Sequence, residues 1–246
     1  MSVHRSFIMR AVSKLDLLIP RRARSTILSS LIAFLALSSS ASAEVVVSRY
    51  VVSLAGVRVG DAILHTTLSA KRYKVTVSAD VGVLLLNTKI QGEALGSRAG
   101  AKLTPEHFRM VASGGEEGSV DTHFAGAAAK GAKVPLQLQG IFDPLSALLV
   151  TSLRPVSPPA HPCHSVLPIL MGRARFNLRL QPKPATEAPA TIVICQADDP
   201  GRQAPPMEIA FMRLLKPQFW LVEHLSFQTP NGTMTIGRVE TAVSQS

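Results

Sequence analysis

From Val45 onward the sequence is a succession of β-branched runs, each about ten residues long and closed by glycine, proline, asparagine or aspartate. "VVVSRYVVSLA" stops at Gly56, and "VRVGDAILHTTLSA", "YKVTVSADV" and "LLLNTKIQGEAL" follow. In the third of these, Tyr73, Val75, Val77 and Ala79 alternate with Lys74, Thr76, Ser78 and Asp80. A period of two with one apolar face is the pattern of an antiparallel strand that packs on one side and meets solvent on the other. "HFRMVAS", "GSVDTHFAG", "KVPLQLQG", "RARFNLRLQ", "TIVICQA", "PMEIAFMRLL", "FWLVEHLSFQT" and "GTMTIGRVETAV" continue the series. Asn231-Gly232, after Pro230, marks a tight hairpin between the last two. Strands at this spacing, with almost no helical pattern between them, argue against βαβ units. They predict a mainly β chain built as one antiparallel curved sheet or open barrel.

One segment departs from the pattern. In "FDPLSALLVTSL", Asp143 is a good N-cap and Pro144 suits the first helical turn. Leu145, Leu148, Leu149 and Leu153 then fall on one face at helical spacing. The expectation is one amphipathic helix, with the sheet wrapped around it. Proline-rich loops are expected over Arg154–Pro162 and Pro182–Pro189.

The N-terminus speaks to compartment. Arg21, Arg22 and Arg24 precede the apolar run Ile27–Leu37, and small residues ending in Ala41-Ser42-Ala43 follow it. This is the order of a secretory signal with a cleavage site after Ala43. The apolar run falls short of the roughly 20 residues that span a bilayer. Residues 1–43 are therefore expected to be a cleaved leader and 44–246 a single periplasmic domain with no membrane span of its own. The basic leader holds half of the net charge of +10. The remaining excess suits an anionic partner such as a lipid or other envelope component, and nothing in the pattern suggests nucleic acid.

Compartment bears on the two cysteines, Cys163 and Cys195. In an oxidising space they are expected to pair as a disulfide. Two other readings of His161-Pro162-Cys163-His164 are a metal set completed by Cys195 and a catalytic thiol. The first lacks any C-x-x-C or H-x3-H spacing, and the second needs a thiol that stays free.

Catalytic signatures are missing from the sequence. There is no H-E-x-x-H and no G-x-S-x-G, Ser97 being out of register for the latter, and the glycine spacing at Gly126–Gly131 meets Ala132 where a phosphate loop needs lysine. A hydrolase would have to recruit its base from His65, His107, His123, His161, His164 or His224. The clearest polar pattern is Arg173, Arg175, Asn177 and Arg179 on one face of a strand, with Ala174, Phe176, Leu178 and Leu180 on the other. Such a stripe either grips an anion such as a lipid head group or forms a solvated outer face with acidic cross-strand partners.

Several of these anchors occur in a fixed order: "YVVSLAGVRVGDA" from Tyr50, "LTPEHF" from Leu103, "DPLSALL" from Asp143, Cys163 followed by "LMGRARFNLRL", and Cys195. Together they resemble the domain of unknown function 3108, found in exported proteins of Gram-negative bacteria. That family is similar in carrying D-P-x-S before its helix and a cysteine before an F-D-G-R-x-R-F-like strand. Leu170-Met171 here stands in place of the Phe-Asp. The resemblance implies a periplasmic protein whose open sheet curls around a helix, as in lipoprotein carriers, with no catalytic residues, metal or cofactor to carry over. The expectation is a non-enzymatic envelope protein that binds a lipidic or other amphipathic ligand in the concave face of its sheet. The alternatives are an envelope-integrity protein that docks on a protein partner without a small ligand and, less in keeping with the sequence, a hydrolase.

Overall fold

The computed structural model describes residues 43–83, 86–115, 117–124, 140–155, 162–184, 189, 191–201, 205–214 and 218–245. Residues 1–42 of the expected leader, 133–139 of the expected strand over 133–140, and 156–161 and 185–188 of the two proline-rich segments lie outside them. The strands are β1 (Glu44–Leu54), β2 (Val57–Leu68), β3 (Arg72–Val83), β4 (Leu86–Ala99), β5 (Lys102–Gly114) and β6 (Gly118–His123), then β7 (Ser165–Met171), β8 (Ala174–Pro182), β9 (Ile192–Asp198), β10 (Met207–Leu214), β11 (Phe219–Thr229) and β12 (Gly232–Gln245). Between β6 and β7 lies the helix α1 (Pro144–Ser152).

All 12 strands form one sheet in the order β6-β5-β4-β3-β2-β1-β12-β11-β10-β9-β8-β7. Each half is a meander of hairpins, and the halves join where β1 pairs antiparallel with β12, from Glu44 opposite Gln245 to Leu54 opposite Met234. The sheet curls until its ends approach: a methyl group added at Gly172, in the β7–β8 turn, would lie 3.6 Å from the Val120 side chain on β6. The result is a nearly closed, barrel-like β-structure, as the strand spacing predicts, with one helix among the described residues. Asn231-Gly232 does end a tight hairpin, with Thr229 paired to Gly232. One strand has no counterpart in the sequence reading: β7, which contains Pro168. It lies at the end of the strand order, where a missing N–H is tolerated. The Pro168 carbonyl accepts from Phe142 N at 2.9 Å, and the Phe142 carbonyl accepts from Leu170 N at 2.8 Å.

α1 lies inside the curl and contacts β3, β4, β5, β7 and β11. Its start is set by Asp143, whose Oδ1 accepts from Ser146 N at 2.9 Å, with Pro144 in the first turn. Its burial departs from the expected single stripe. Leu145, Ala147 and Leu149 are buried, but so are Ser146, Thr151 and Ser152, whereas Leu148 and Leu153 are only partly covered. A helix enclosed by a curled sheet is covered on several faces, so its hydroxyls need internal partners. Thr151 Oγ1 donates to the Ala147 carbonyl at 2.9 Å, and Ser146 Oγ lies 2.7 Å from Tyr73 Oη. Two apolar clusters flank the helix. One gathers Tyr50, Leu167, Leu180, Ile209, Phe211 and Trp220 around the cysteines, and the other Val75, Phe108, Leu145, Leu149, Phe219 and Leu221.

Burial pushes the Asp143 carboxyl above the usual carboxylate range. A carboxyl with a raised folded-state pKa holds its proton more tightly when folded. Its contribution therefore favours folding at acid pH and is lost as pH rises through the folded-state value. Asp143→Ala removes the cap and is expected to lower stability by about 1–2 kcal/mol. Asp143→Asn keeps an acceptor for Ser146 N and should lose less. Because Asn does not titrate, the stability of the wild type relative to Asp143→Asn should fall as pH rises above about 4. Urea unfolding of the three proteins across that range checks both statements.

Candidate functional site

The concave face is occupied by α1. Between the helix and β1–β3 and β11, the cavity bounded by Ser48, Tyr50, Leu64, Thr66, Leu145, Leu148 and Leu221 measures about 30 Å³. That is room for one or two water molecules. Tyr50, in this wall, donates to the Val222 carbonyl at 3.2 Å, and burial pushes its hydroxyl up to about 12.

Space lies on the opposite face. Alternation sends Ala62, Leu64 and Thr66 of β2 inward, so Ile63 and His65 point out. Register then lines up two cross-strand rows on that outer face. One runs Ile63–Ser78–Gln91–Val111, and the other His65–Thr76–Glu93–Arg109. These eight residues, with Val77 and Gly92, line an open trough of about 620 Å³. Gly92 matters to the sheet beneath it: a Cβ there would lie 2.8 Å from the Val77 side chain and 3.6 Å from Leu145 of α1. The wall mixes chemistry. Ile63 and Val111 are apolar, and Lys74 Nζ beside the trough bridges to Glu93 at 2.7 Å. Arg109 has Glu93 as its neighbour on β4 and Asp121 on β6.

At the β5–β6 end of these rows, three of the chain's ionisable side chains converge. His107 and His123 are direct cross-strand partners, and their rings stack with centroids 4.5 Å apart. Asp121, two residues before His123, shares their face. Its Oδ1 lies 2.9 Å from His107 Nε2 and 3.4 Å from His123 Nε2. The hydrogen bond to His107 is the main cause holding the Asp121 carboxyl below the usual range. His107 is 25% exposed, Asp121 55% and His123 57%. Sequence reasoning named both histidines only as candidate bases and passed over Asp121. The one available signal was the β5–β6 hairpin register, which the spacing of the three residues does not reveal.

The other sequence-derived candidates are placed as follows. Cys163 and Cys195 form a disulfide with Cα atoms 5.1 Å apart, and both residues are fully buried. Their sulfurs are engaged with each other, which removes the metal set and the catalytic thiol considered for His161-Pro162-Cys163-His164. His161 itself lies outside the described residues, and His164 is exposed. Arg175 and Arg179 point away from the core, because Leu178 and Leu180 of the same strand face it. Arg179 makes a bidentate pair with Asp198 of β9 at 3.1 and 2.8 Å, the outer-face arrangement with a cross-strand acid. Arg173 sits in the β7–β8 turn, exposed like Arg175. His65 belongs to the trough, and His224 is half-buried on β11. Among the histidines described, only His107 and His123 are brought together around a carboxylate.

No curated protein matches the chain. Among solved structures, the hypothetical protein CT021 from Chlamydia trachomatis is similar over 79% of this chain and 86% of its own, with a TM-score of 0.32 and 12% identity. A likeness that weak carries no argument about fold or activity. Residues 49–191 match the family described as "Protein of unknown function (DUF3108)". That stretch takes in the trough, the convergent histidines, Asp143-Pro144-Leu145-Ser146, Cys163 and the arginine strand, and the chain belongs to the DUF3108 family.

Proposed function

We propose that this protein is an exported, non-enzymatic component of the cell envelope that binds an amphipathic molecule on its sheet. Two features support export to the periplasm: a signal-like leader ending at Ala43 and a buried disulfide, which belongs to oxidising compartments. The observation that carries the binding reading is the trough across β2–β5. Its volume is that of a small-molecule site, and its wall offers apolar patches beside a few charged and amide groups. The concave face, where the strand pattern alone would put a lipid, is taken by α1. An acyl chain there would have to displace a helix held by the Asp143–Ser146 cap, the Thr151–Ala147 hydrogen bond and the Ser146–Tyr73 hydrogen bond.

Protein isolated from the periplasm and weighed intact, natively and after denaturation, tests this reading. The denatured mass should begin at Glu44 and lack two hydrogens, and a further mass should appear only in the native spectrum. Ser78→Trp fills the trough from an exposed position and should abolish that extra mass. An Arg173→Ala, Arg175→Ala, Arg179→Ala variant should keep it. Loss of the ligand in the triple variant alone would move the site to the arginine strand.

A wild-type protein with no bound mass would overturn the ligand reading and leave a second one. In that reading the protein docks on an envelope partner without a small ligand. The filled concave face favours it, since a core packed around its own helix needs no guest to be complete.

A further inference from the structure

His107 from β5 and Asp121 and His123 from β6 converge on the outer face of the sheet. We propose that these three residues form a binding site for a divalent transition metal ion of the zinc class, independent of whether the trough takes a ligand. All three offer a donor atom, and those atoms already lie within 4.8 Å of one another. Bonds of about 2.0–2.2 Å in a tetrahedral shell place neighbouring donors about 3.3–3.5 Å apart. The observed separations of 2.9 and 3.4 Å from Asp121 Oδ1 to the two Nε2 atoms sit around that value. Small turns of the imidazole rings, whose last torsion is soft, are all the movement required. The ion would take the place of the proton that now links His107 to Asp121.

The donor set chooses the metal. Two imidazoles and one carboxylate suit zinc and its borderline neighbours, and they suit calcium or magnesium poorly because those ions demand oxygen ligands. The exposure of the cluster leaves a fourth position open to water or to a group on another molecule, as in sites of three protein ligands. Position in the fold adds a mechanical effect. β6 is at one end of the sheet order, and an ion held by His107 from β5 and by Asp121 and His123 from β6 would pin that last strand to its neighbour. One nearby group opposes binding. The Arg109 guanidinium is the cross-strand neighbour of Asp121, and its charge works against a second cation.

The test uses untagged full-length mature protein and zinc alone, titrated by calorimetry, with cobalt substituted for a visible spectrum that reports coordination. One saturable zinc per chain is expected. His107→Ala, His123→Ala and Asp121→Asn should each weaken it at least tenfold and change the cobalt spectrum. Arg109→Ala should tighten it several-fold, an effect no merely structural role for the cluster produces. His65→Ala and His224→Ala should bind as wild type. Because the three ligands sit on the outer face near the sheet edge, the variants should keep the wild-type circular dichroism spectrum in the absence of metal. Zinc binding that survives Asp121→Asn and His123→Ala, or no saturable binding by the wild type, overturns the proposal.

Discussion

Removal of the disulfide, as Cys163→Ala with Cys195→Ala, is expected to lower the stability of the protein by about 3–4 kcal/mol. The sequence separation of 32 sets the scale. Closing a loop of that size in the unfolded chain restricts it by roughly this amount at 25 °C. The position of the bond adds to it. Both cysteines are fully buried beside Leu167, Leu180 and Ile209, so two alanines leave unfilled volume where the sulfurs were. For a folded unit the size of residues 44–246 the loss corresponds to a fall in Tm of about 10 °C. Thermal and urea unfolding of the double variant measure it. The same burial makes a kinetic statement. A reductant should act on the folded protein only as fast as the region around β9 opens, so reduction should accelerate with urea well below the unfolding midpoint. A double variant with the wild-type Tm would show that the bond is incidental to the packing around it.

Gly96→Ala is expected to lower stability by about 3 kcal/mol through a different mechanism. The residue lies at a register shift between β4 and β5, opposite Pro105. A Cβ there would lie 2.4 Å from the Thr104 carbonyl oxygen and 2.5 Å from the Tyr73 ring and hydroxyl, distances that force something to move. The Thr104 oxygen is backbone in a paired strand, so Tyr73 yields first. Its hydroxyl is bonded to Ser146 Oγ in the buried space between β3 and α1. Displacing it leaves two buried hydroxyls without each other, on top of the overpacking itself. Tyr73→Phe removes only the bond and should lose about 1–2 kcal/mol. If the alanine acts by moving Tyr73, the double variant should lose less than the sum of the two singles. Strict additivity would instead place the damage in the Thr104 backbone.

These two sites also show what could be read without coordinates. The disulfide followed from compartment and cysteine count, and the strands followed from their alternation, because both signals are local or compositional. The start of α1 was legible from Asp143-Pro144, but its environment was not. Leucine spacing says that one face is buried and cannot say that Ser146, Thr151 and Ser152 are enclosed as well. In β11, Phe219, Trp220, Leu221 and Val222 are all buried, a run with no period of two to read. β7 was hidden by Pro168, which argues against any paired strand until its place at the end of the sheet is known. The trough and the His107–Asp121–His123 cluster were out of reach for one shared reason. Both are assembled by register across several strands, and a shift such as that at Leu95/Gly96 changes which side chains meet without changing any local pattern.

The seam between β1 and β12 sets an order of events. β1 lies in the middle of the sheet, yet one of its two neighbours is the last strand in the sequence. A chain emerging from its N-terminus can build the meander from β1 to β6 early, but the near edge of β1 stays open until β12, which begins at Gly232, roughly 110 residues after β6 ends. An open central strand is a template for the wrong partner. The final strand is the latch that ends this exposure, closing the edge of β1 along its whole length from Glu44 to Leu54.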